Sequence, residues 1–272
     1  MIDCVDSMTL NLERRIKTER GLIKYFLKTE YRRVKKFERE ISRKFLRLIV
    51  TADRDAEYLG NGNEKNIDKI PVAVDIRRFF PDYAKRKKNR IIFSGNMKYY
   101  PNNQAVVWFL KEVIKRLSTG YNDFEFVIAG KNPSKEVKEI ALLYENVYCT
   151  GFVDSMVDEL NQASIAVAPM QSGSGMQGKI LEAMSCGVPV ITTTLGKGSI
   201  RAQENDGLFI ADTPEEFLEE IKRLLSNNKM IYKYGMNARI YIEKNHDVSL
   251  LSNKLSEVYR KCFLDNGIDD NC

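Results

Sequence analysis

Residues 164–193, SIAVAPMQSGSGMQGKILEAMSCGVPVITT, hold the pattern from which the rest of the chain can be read. Ser164 to Met170 is an apolar run of Ile, Val and Ala, followed by a loop from Gln171 to Gly175. Met176 to Cys186 has helical periodicity and is closed by Gly187, and Val188 to Thr193 is a second β-branched run. Strand, glycine loop, helix and strand in that order predict a βαβ unit of a parallel sheet. Lys179 and Glu182, three residues apart, share one helix face, and Ile180 and Met184 mark the packed face. The first face is expected to look toward a ligand; a surface ion pair is the alternative.

With 272 residues and 43% apolar composition, the chain can bury a substantial core. It contains no apolar run long enough to span a bilayer, and MIDCVDSMTL lacks the features of a signal peptide, so a cytoplasmic location is expected. The five cysteines are scattered with no C-x-x-C pair, which points to reduced thiols rather than a disulfide framework or a zinc site. The net charge of +6 is unevenly spread: residues 1–90 carry net +10 and residues 91–272 net −4. Such asymmetry favours an anionic partner near the first third.

From Thr9 to Phe45 the pattern is helical and strongly basic, with a break near Gly21 and an apolar stripe through Leu27, Tyr31, Val34, Phe37, Ile41 and Phe45. Residues 9–45 could meet an anionic membrane surface, which would place the protein peripherally at the inner membrane face; a solvated basic face is the other reading. Leu46 to Thr51 and Ile67 to Val74 read as strands, Asp53 to Leu59 as a short helix and Gly60 to Asn63 as a turn. Residues 76–89, including Lys85-Arg-Lys-Lys88, read as a solvated linker. After Arg90 the rhythm is regular. Strands at 91–94, 124–129, 147–150 and 208–211 join the two of the opening stretch and alternate with helices, and Thr213-Pro-Glu-Glu216 spells a capping box. The fold class expected is α/β, a Rossmann-like doubly wound parallel sheet preceded by a partial N-terminal α/β domain. Its ligand should bind at the carboxyl ends of the strands.

The motifs Phe93-Ser-Gly-Asn-Met-Lys-Tyr-Tyr-Pro-Asn102, Val127-Ile-Ala-Gly130, Thr150-Gly-Phe-Val-Asp154 and Gly173-Ser-Gly-Met-Gln-Gly-Lys-Ile-Leu-Glu-Ala-Met184, in that order, resemble the nucleotide-sugar domain of retaining GT-B glycosyltransferases of the group 1, family 4 type. The resemblance runs from about residue 90 to 225. It implies an N-terminal acceptor-domain remnant over 1–75, a linker over 76–89, a nucleotide-sugar-binding domain over 90–250 and a C-terminal helix and tail over 251–272. About 75 residues precede the junction Ile70-Pro-Val-Ala-Val-Asp75, fewer than a full acceptor domain needs. A truncated N-terminal domain is therefore expected, completed by a second chain or absent from a fragment.

The resemblance also implies site residues. Gly173, Ser174, Gly175 and Met176 would bring backbone N–H groups to a diphosphate, and Lys179 would add a full positive charge. Glu182 matches the family glutamate that accepts hydrogen bonds from the nucleotide ribose. Ser174 stands where many members carry a second glutamate, so sugar recognition should rely on other groups. Gly95, Asn96 and Lys98 would reach the diphosphate or sugar, and Gly151 and Phe152 lie where the base is expected. Lys179 and Glu182 are thus the candidate catalytic residues. The implied reaction is metal-independent, retaining transfer of a hexose from a UDP- or GDP-sugar to a glycan or lipid-linked acceptor, as in polysaccharide biosynthesis. A non-catalytic nucleotide-sugar-binding module is the alternative.

Other chemistries find little footing. His246 is the single histidine and reads as a surface or helix-end residue, which disfavours a histidine triad or metal cluster. Asp53-Arg-Asp55 is explained by a helix start. No metal, cofactor or nucleic-acid partner is expected.

Overall fold

The computed structural model describes residues 1–5, 7–60, 66–173 and 175–264. The chain divides into two compact units: residues 1–73 with 173–176 and 248–272, and residues 74–172 with 177–247.

In the smaller unit, β1 (Ile2–Val5), α1 (Met8–Thr18), α2 (Gly21–Lys44), β2 (Leu48–Val50), α3 (Asp53–Gly60) and β3 (Ile67–Lys69) follow in order. The three strands form a parallel sheet in the order β1-β2-β3, with Ile2 opposite Leu48 and Val50 opposite Lys69. Parallel neighbours require crossovers, and the helices between them provide these. Leu48, Val50, Ala56 and Leu59 form the core, with Ile41, Phe45 and Ile67 packed on it.

The expected apolar stripe of α2 is only partly real. Leu27 is buried, but Phe37 is 61% exposed, and the residue that packs inward beside it is Glu38. Its carboxylate accepts from the Ser7 hydroxyl (3.1 Å) and from the backbone N–H of Met8 (2.6 Å) and Thr9 (3.2 Å). The first turn of α1 contains no acid, so Glu38 supplies the negative charge that its unpaired N–H groups favour. Asp55, expected to serve only its own helix start, is buried and accepts from the Ser7 N–H at 2.8 Å.

The larger unit contains β4 (Arg90–Ser94), α4 (Tyr100–Trp108), a widened π-helical stretch (Phe109–Ile114), α5 (Lys115–Gly120), β5 (Glu125–Ala129), α6 (Lys135–Ala141), β6 (Val147–Gly151), α7 (Met156–Asn161), β7 (Ile165–Ala168), α8 (Gly178–Ser185), β8 (Val190–Thr192), α9 (Thr194–Lys197), β9 (Leu208–Ile210), α10 (Pro214–Leu225) and α11 (Asn228–Asn245). A final helix, α12 (Val248–Leu264), groups with the smaller unit. All six strands of the larger sheet run parallel in the order β6-β5-β4-β7-β8-β9. Counted within the unit this is 3-2-1-4-5-6, the doubly wound Rossmann order, with its reversal point between β4 and β7.

The sequence reading of these elements holds in type and order, with two differences: the helix read over 103–117 widens to a π-helical turn at Phe109–Ile114, and the short helix α9 was not read. Val106, Phe109, Leu110, Val113 and Leu117 are all buried along one helical path, and Phe109, Phe126 and Phe217 meet at ring centroid distances of 5.0 and 5.7 Å. The Thr213–Glu216 capping box forms with both reciprocal hydrogen bonds. α8 ends as read from Gly187: the Gly187 N–H bonds the Met184 carbonyl and the Val188 N–H bonds that of Ala183.

Two side-chain expectations are corrected. In the run 85–88, Lys85, Lys87 and Lys88 are exposed as read, Lys85 pairing with Asp158 at 2.7 Å, but Arg86 is half-buried, with its Nε and Nη1 covered, and donates to the Gly187 carbonyl at 2.9 Å. The positive Arg86 lies against the carbonyl end of α8, where a helix dipole favours it. His246 does end a helix, α11, but it is buried; its carbonyl accepts the Val74 N–H at 2.7 Å and its ring lies 5.6 Å from Tyr241. The turn residues 61–63 and the tail acids Asp269 and Asp270 lie outside the described residues.

Candidate functional site

The reversal point of a doubly wound sheet leaves a crevice outside the carboxyl ends of its two flanking strands, because their connections leave in opposite directions. Here those ends are Ser94 on β4 and Ala168 on β7.

On the β4 side the chain turns at Gly95 and is sewn to its neighbours by backbone bonds. The Gly95 N–H donates to the Ala129 carbonyl at 2.9 Å, the Met97 N–H to Lys131 at 2.9 Å, and the Gly130 N–H to Gly151 at 3.1 Å. The loops after β4, β5 and β6 are thereby tied side by side. They touch so closely that a Cβ at Gly130 would stand 1.9 Å from the Gly95 carbonyl oxygen. A Cβ at Gly95 would lie 2.8 Å from Asn102 Nδ2 and 3.2 Å from Lys179 Nζ. At Gly130 the obstacle is backbone, so no side chain fits there, whereas at Gly95 it is the ends of two side chains, which a Cβ would push aside.

Asn96 is exposed, and both of its oxygens are used. Its Oδ1 accepts from the Lys98 N–H (3.0 Å) and from Asn132 Nδ2 (3.2 Å), and its carbonyl accepts from Asn102 Nδ2 (3.0 Å). Asn102, in the first turn of α4, is buried, and its Oδ1 accepts a short hydrogen bond from Lys179 Nζ.

Lys179 opens α8, whose N-cap residue Gln177 makes no side-chain capping bond. Its amine lies 4.4 Å from the centre of the Phe93 ring and 4.0 Å from Met170 Sδ. Burial among these groups pulls its pKa down from 10.5 to about 7, against the opposing pull of Glu182. Glu182, one turn further along, has its carboxyl pKa raised by burial, with Arg78 and Lys179 pulling the other way. Among the described residues the two do not form a 4 Å ion pair; the partner of Lys179 is Asn102. On the loop after β7, Ser172 Oγ donates to Gln104 Oε1 on α4 at 2.5 Å, and Thr193 Oγ1 to the Met170 carbonyl at 2.8 Å.

Of the residues singled out from sequence, Gly95, Asn96 and Lys179 are brought together at the carboxyl end of β4, and Glu182 lies one turn along α8 from Lys179. Lys98 is on the same loop with its side chain exposed. Gly151 ends β6, and Phe152 follows it, exposed rather than in the core, with Lys131 Nζ 4.4 Å above its ring. Gly173, Gly175 and Met176 group with the smaller unit, where Arg14 Nη1 donates to the Gly173 carbonyl at 3.1 Å. Ser174 lies outside the described residues.

Sequence reading missed Asn102, Asn132, Gln104 and Arg14. Asn102 stood inside a quoted motif, and Asn132 two residues after a strand-end glycine, so position offered a signal for both. Arg14 lies 159 residues from its partner and offered none.

In the larger unit the arrangement can serve an anionic ligand that also offers hydroxyl groups. A desolvated amine and the N-terminal end of a helix suit phosphate oxygens, and a neighbouring carboxylate suits a diol.

A 27% identical relative, an uncharacterized glycosyltransferase of Methanocaldococcus jannaschii, matches over 218 residues, 78% of this chain and 53% of the relative. An uncharacterized 44.6 kDa protein in the cps region of Klebsiella pneumoniae is 29% identical over 166 residues, 58% of this chain and 42% of that protein. The chain therefore spans about half the length of these relatives. Among solved structures, a mutant of S. aureus TarM, crystallised in complex with Fondaparinux, alpha-GlcNAc-glycerol and UDP, superposes with a TM-score of 0.71 at 18% identity, covering 84% of this chain and 46% of TarM. The model of the family described as glycosyl transferases group 1 matches residues 88–227, just over half of the chain, and with the doubly wound sheet and its strand-end site this places the protein in the glycosyltransferase group 1 family.

Proposed function

We propose that the protein transfers a hexose from a nucleotide diphosphate sugar, such as a UDP- or GDP-sugar, to a glycan or lipid-linked acceptor, with retention and without a metal ion. The observation that carries the reading is the meeting of Lys179, Asn102 and the Gly95 loop beside β4, at the reversal point of the sheet. In such a transfer the bond from the anomeric carbon to the diphosphate oxygen breaks and its electron pair leaves with the diphosphate. The acceptor oxygen bonds to the carbon, and its proton is released. The growing phosphate charge would fall beside Lys179 and the first N–H groups of α8, which stabilise the transition state more than the ground state. Glu182 would hold the ribose hydroxyls. In the metal-independent reading Lys179 does the work of a cation.

A membrane-bound acceptor pool fits the smaller unit. The start of α2 exposes Leu22, Ile23, Tyr25 and Phe26 among the basic residues Arg20, Lys24 and Lys28, an apolar and cationic combination suited to an anionic lipid surface. That surface would be the cytoplasmic face of the inner membrane. No helix among the described residues is long and apolar enough to cross a membrane. Completion of the acceptor half by a second chain, or by further sequence, belongs to the same proposal and is supported by the span of about half the relatives' length.

The test is calorimetric titration of the chain with UDP, GDP and their common sugar conjugates, followed by assay of sugar release and transfer. Binding with transfer supports the whole reading. Binding without transfer favours the non-catalytic module, and no binding at millimolar concentration overturns the donor site.

A further inference from the structure

Asn102 occupies an unusual place in this site. Its amide points both ways: Nδ2 donates to the Asn96 carbonyl at 3.0 Å, and Oδ1 accepts from Lys179 Nζ. Asn96 in turn takes the Nδ2 of Asn132 from the loop after β5. A continuous polar chain, Asn132–Asn96–Asn102–Lys179, thus links the loops after β4 and β5 to the first turn of α8. Every member before the amine is neutral.

Among the described residues, the neighbours of that amine are otherwise apolar or weak acceptors. β4 presents the Phe93 ring, the loop after β7 the Met170 sulfur, and α4 the Asn102 amide. The charge acting on it comes from Glu182 on its own helix, which itself feels Arg78. A free lysine side chain has four rotatable bonds, so an amine held by one acceptor and a ring face is preorganised.

We propose that Asn102 is the positioning residue of the donor site, holding the Lys179 amine in place for a nucleoside diphosphate and setting how readily it carries its proton. The inference rests on the donor-site reading above. A neutral acceptor makes physical sense here. A carboxylate at residue 102 would keep the amine charged but compete with the diphosphate for it, whereas an amide holds the amine and leaves its charge to be matched by the ligand. The lowered pKa of Lys179 is consistent with an amine that gains its full charge only when an anion arrives.

The experiment uses the full chain and the variants Asn102→Asp, Asn102→Ala and Asn102→Ser. Lysine Cε resonances titrated without ligand give the Lys179 pKa directly. UDP titrations in buffers of different ionisation enthalpy, from pH 6 to 9, give affinity and proton uptake. In the wild type, UDP affinity should fall as pH rises through about 7, with uptake approaching one proton near pH 8. Asn102→Asp should raise the Lys179 pKa by at least about one unit, abolish uptake at pH 8 and weaken UDP about tenfold at pH 6. Asn102→Ala should weaken UDP most at pH 8, and Asn102→Ser, which keeps a short acceptor, should recover part of the loss.

If the Lys179 pKa is the same in wild type and Asn102→Asp, or if the variants weaken UDP by one factor at every pH, Asn102 is merely structural and the inference fails while the donor site stands. If the pKa moves with residue 102 but neither UDP nor GDP binds the wild type at millimolar concentration, the positioning contact survives and the donor-site reading falls. Should Asn102→Asp not fold, the Ala and Ser proteins decide the matter by the same pH dependence.

Discussion

Lys179 is a cation held where water is scarce, and that placement has a cost as well as a use. Its folded pKa of about 7 lies below the ordinary 10.5, so between those values the unfolded chain holds a proton that the folded protein has released. Stability therefore rises with pH across this window, and below pH 7, where both states are charged, the penalty of burial is fully present. Lys179→Met should accordingly stabilise the protein by about 2 kcal/mol at pH 6.5, with the gain shrinking toward zero near pH 10.5. Denaturant melts at the two pH values check this; a pH-independent difference would contradict it. Glu182 carries the opposite expectation. Replacing Glu182 by Ala should leave folding nearly intact while weakening UDP affinity about tenfold to a hundredfold, the loss of a charged pair of hydrogen bonds to the ribose. Unchanged affinity in titration calorimetry would remove Glu182 from the site.

At the level of elements, the strand-end loops and helix termini hold the site's framework. Gly130 and Gly178 make a matched pair. A Cβ at Gly130 would collide with the Gly95 carbonyl, whereas one at Gly178 meets nothing within 4 Å in the first turn of α8. Gly130→Ala should lower stability by about 2–3 kcal/mol, while Gly178→Ala should raise it by about 0.5–1 kcal/mol, both read by thermal melting. The long helices were legible from sequence because a buried stripe repeats every three or four residues, as from Val106 to Leu117. Phe37 shows where that logic stops. Periodicity assigned it to the packed face, but the structure turns Glu38 inward, because the unpaired N–H groups of α1 need a negative partner. No local pattern reports a demand created by another helix.

For the chain taken entire, charge is the property most directly tied to a partner. Residues 1–90 hold net +10, and α2 adds exposed aromatic and aliphatic side chains to that basic surface. If it meets a lipid surface, the chain should co-sediment with vesicles containing anionic lipid and not with neutral ones. The bound fraction should drop several-fold between about 0.1 M and 0.5 M salt, as the Debye length shortens. Leu22→Asp with Phe26→Asp should abolish the remainder; equal binding to neutral vesicles, or none to anionic ones, would count against the membrane reading.

Local patterns in the chain were enough to specify the class of fold and the order of the strands and of most helices in the larger unit. Those features follow from periodicity and turn residues, which act over short stretches of chain. The same patterns singled out Lys179 and Glu182, since a three-residue spacing on a helix settles that they share a face. What the two residues face was fixed by assembly of the sheet. The strand order 3-2-1-4-5-6 brings β4 beside β7, and with it the Gly95 loop and Asn102 against Lys179, 77 residues further on. The same packing buried Arg86 against the end of α8 and His246 at the end of α11. Such pairings depend on which strands neighbour one another and on which polar groups are left without water, and neither is set until distant segments of the chain meet.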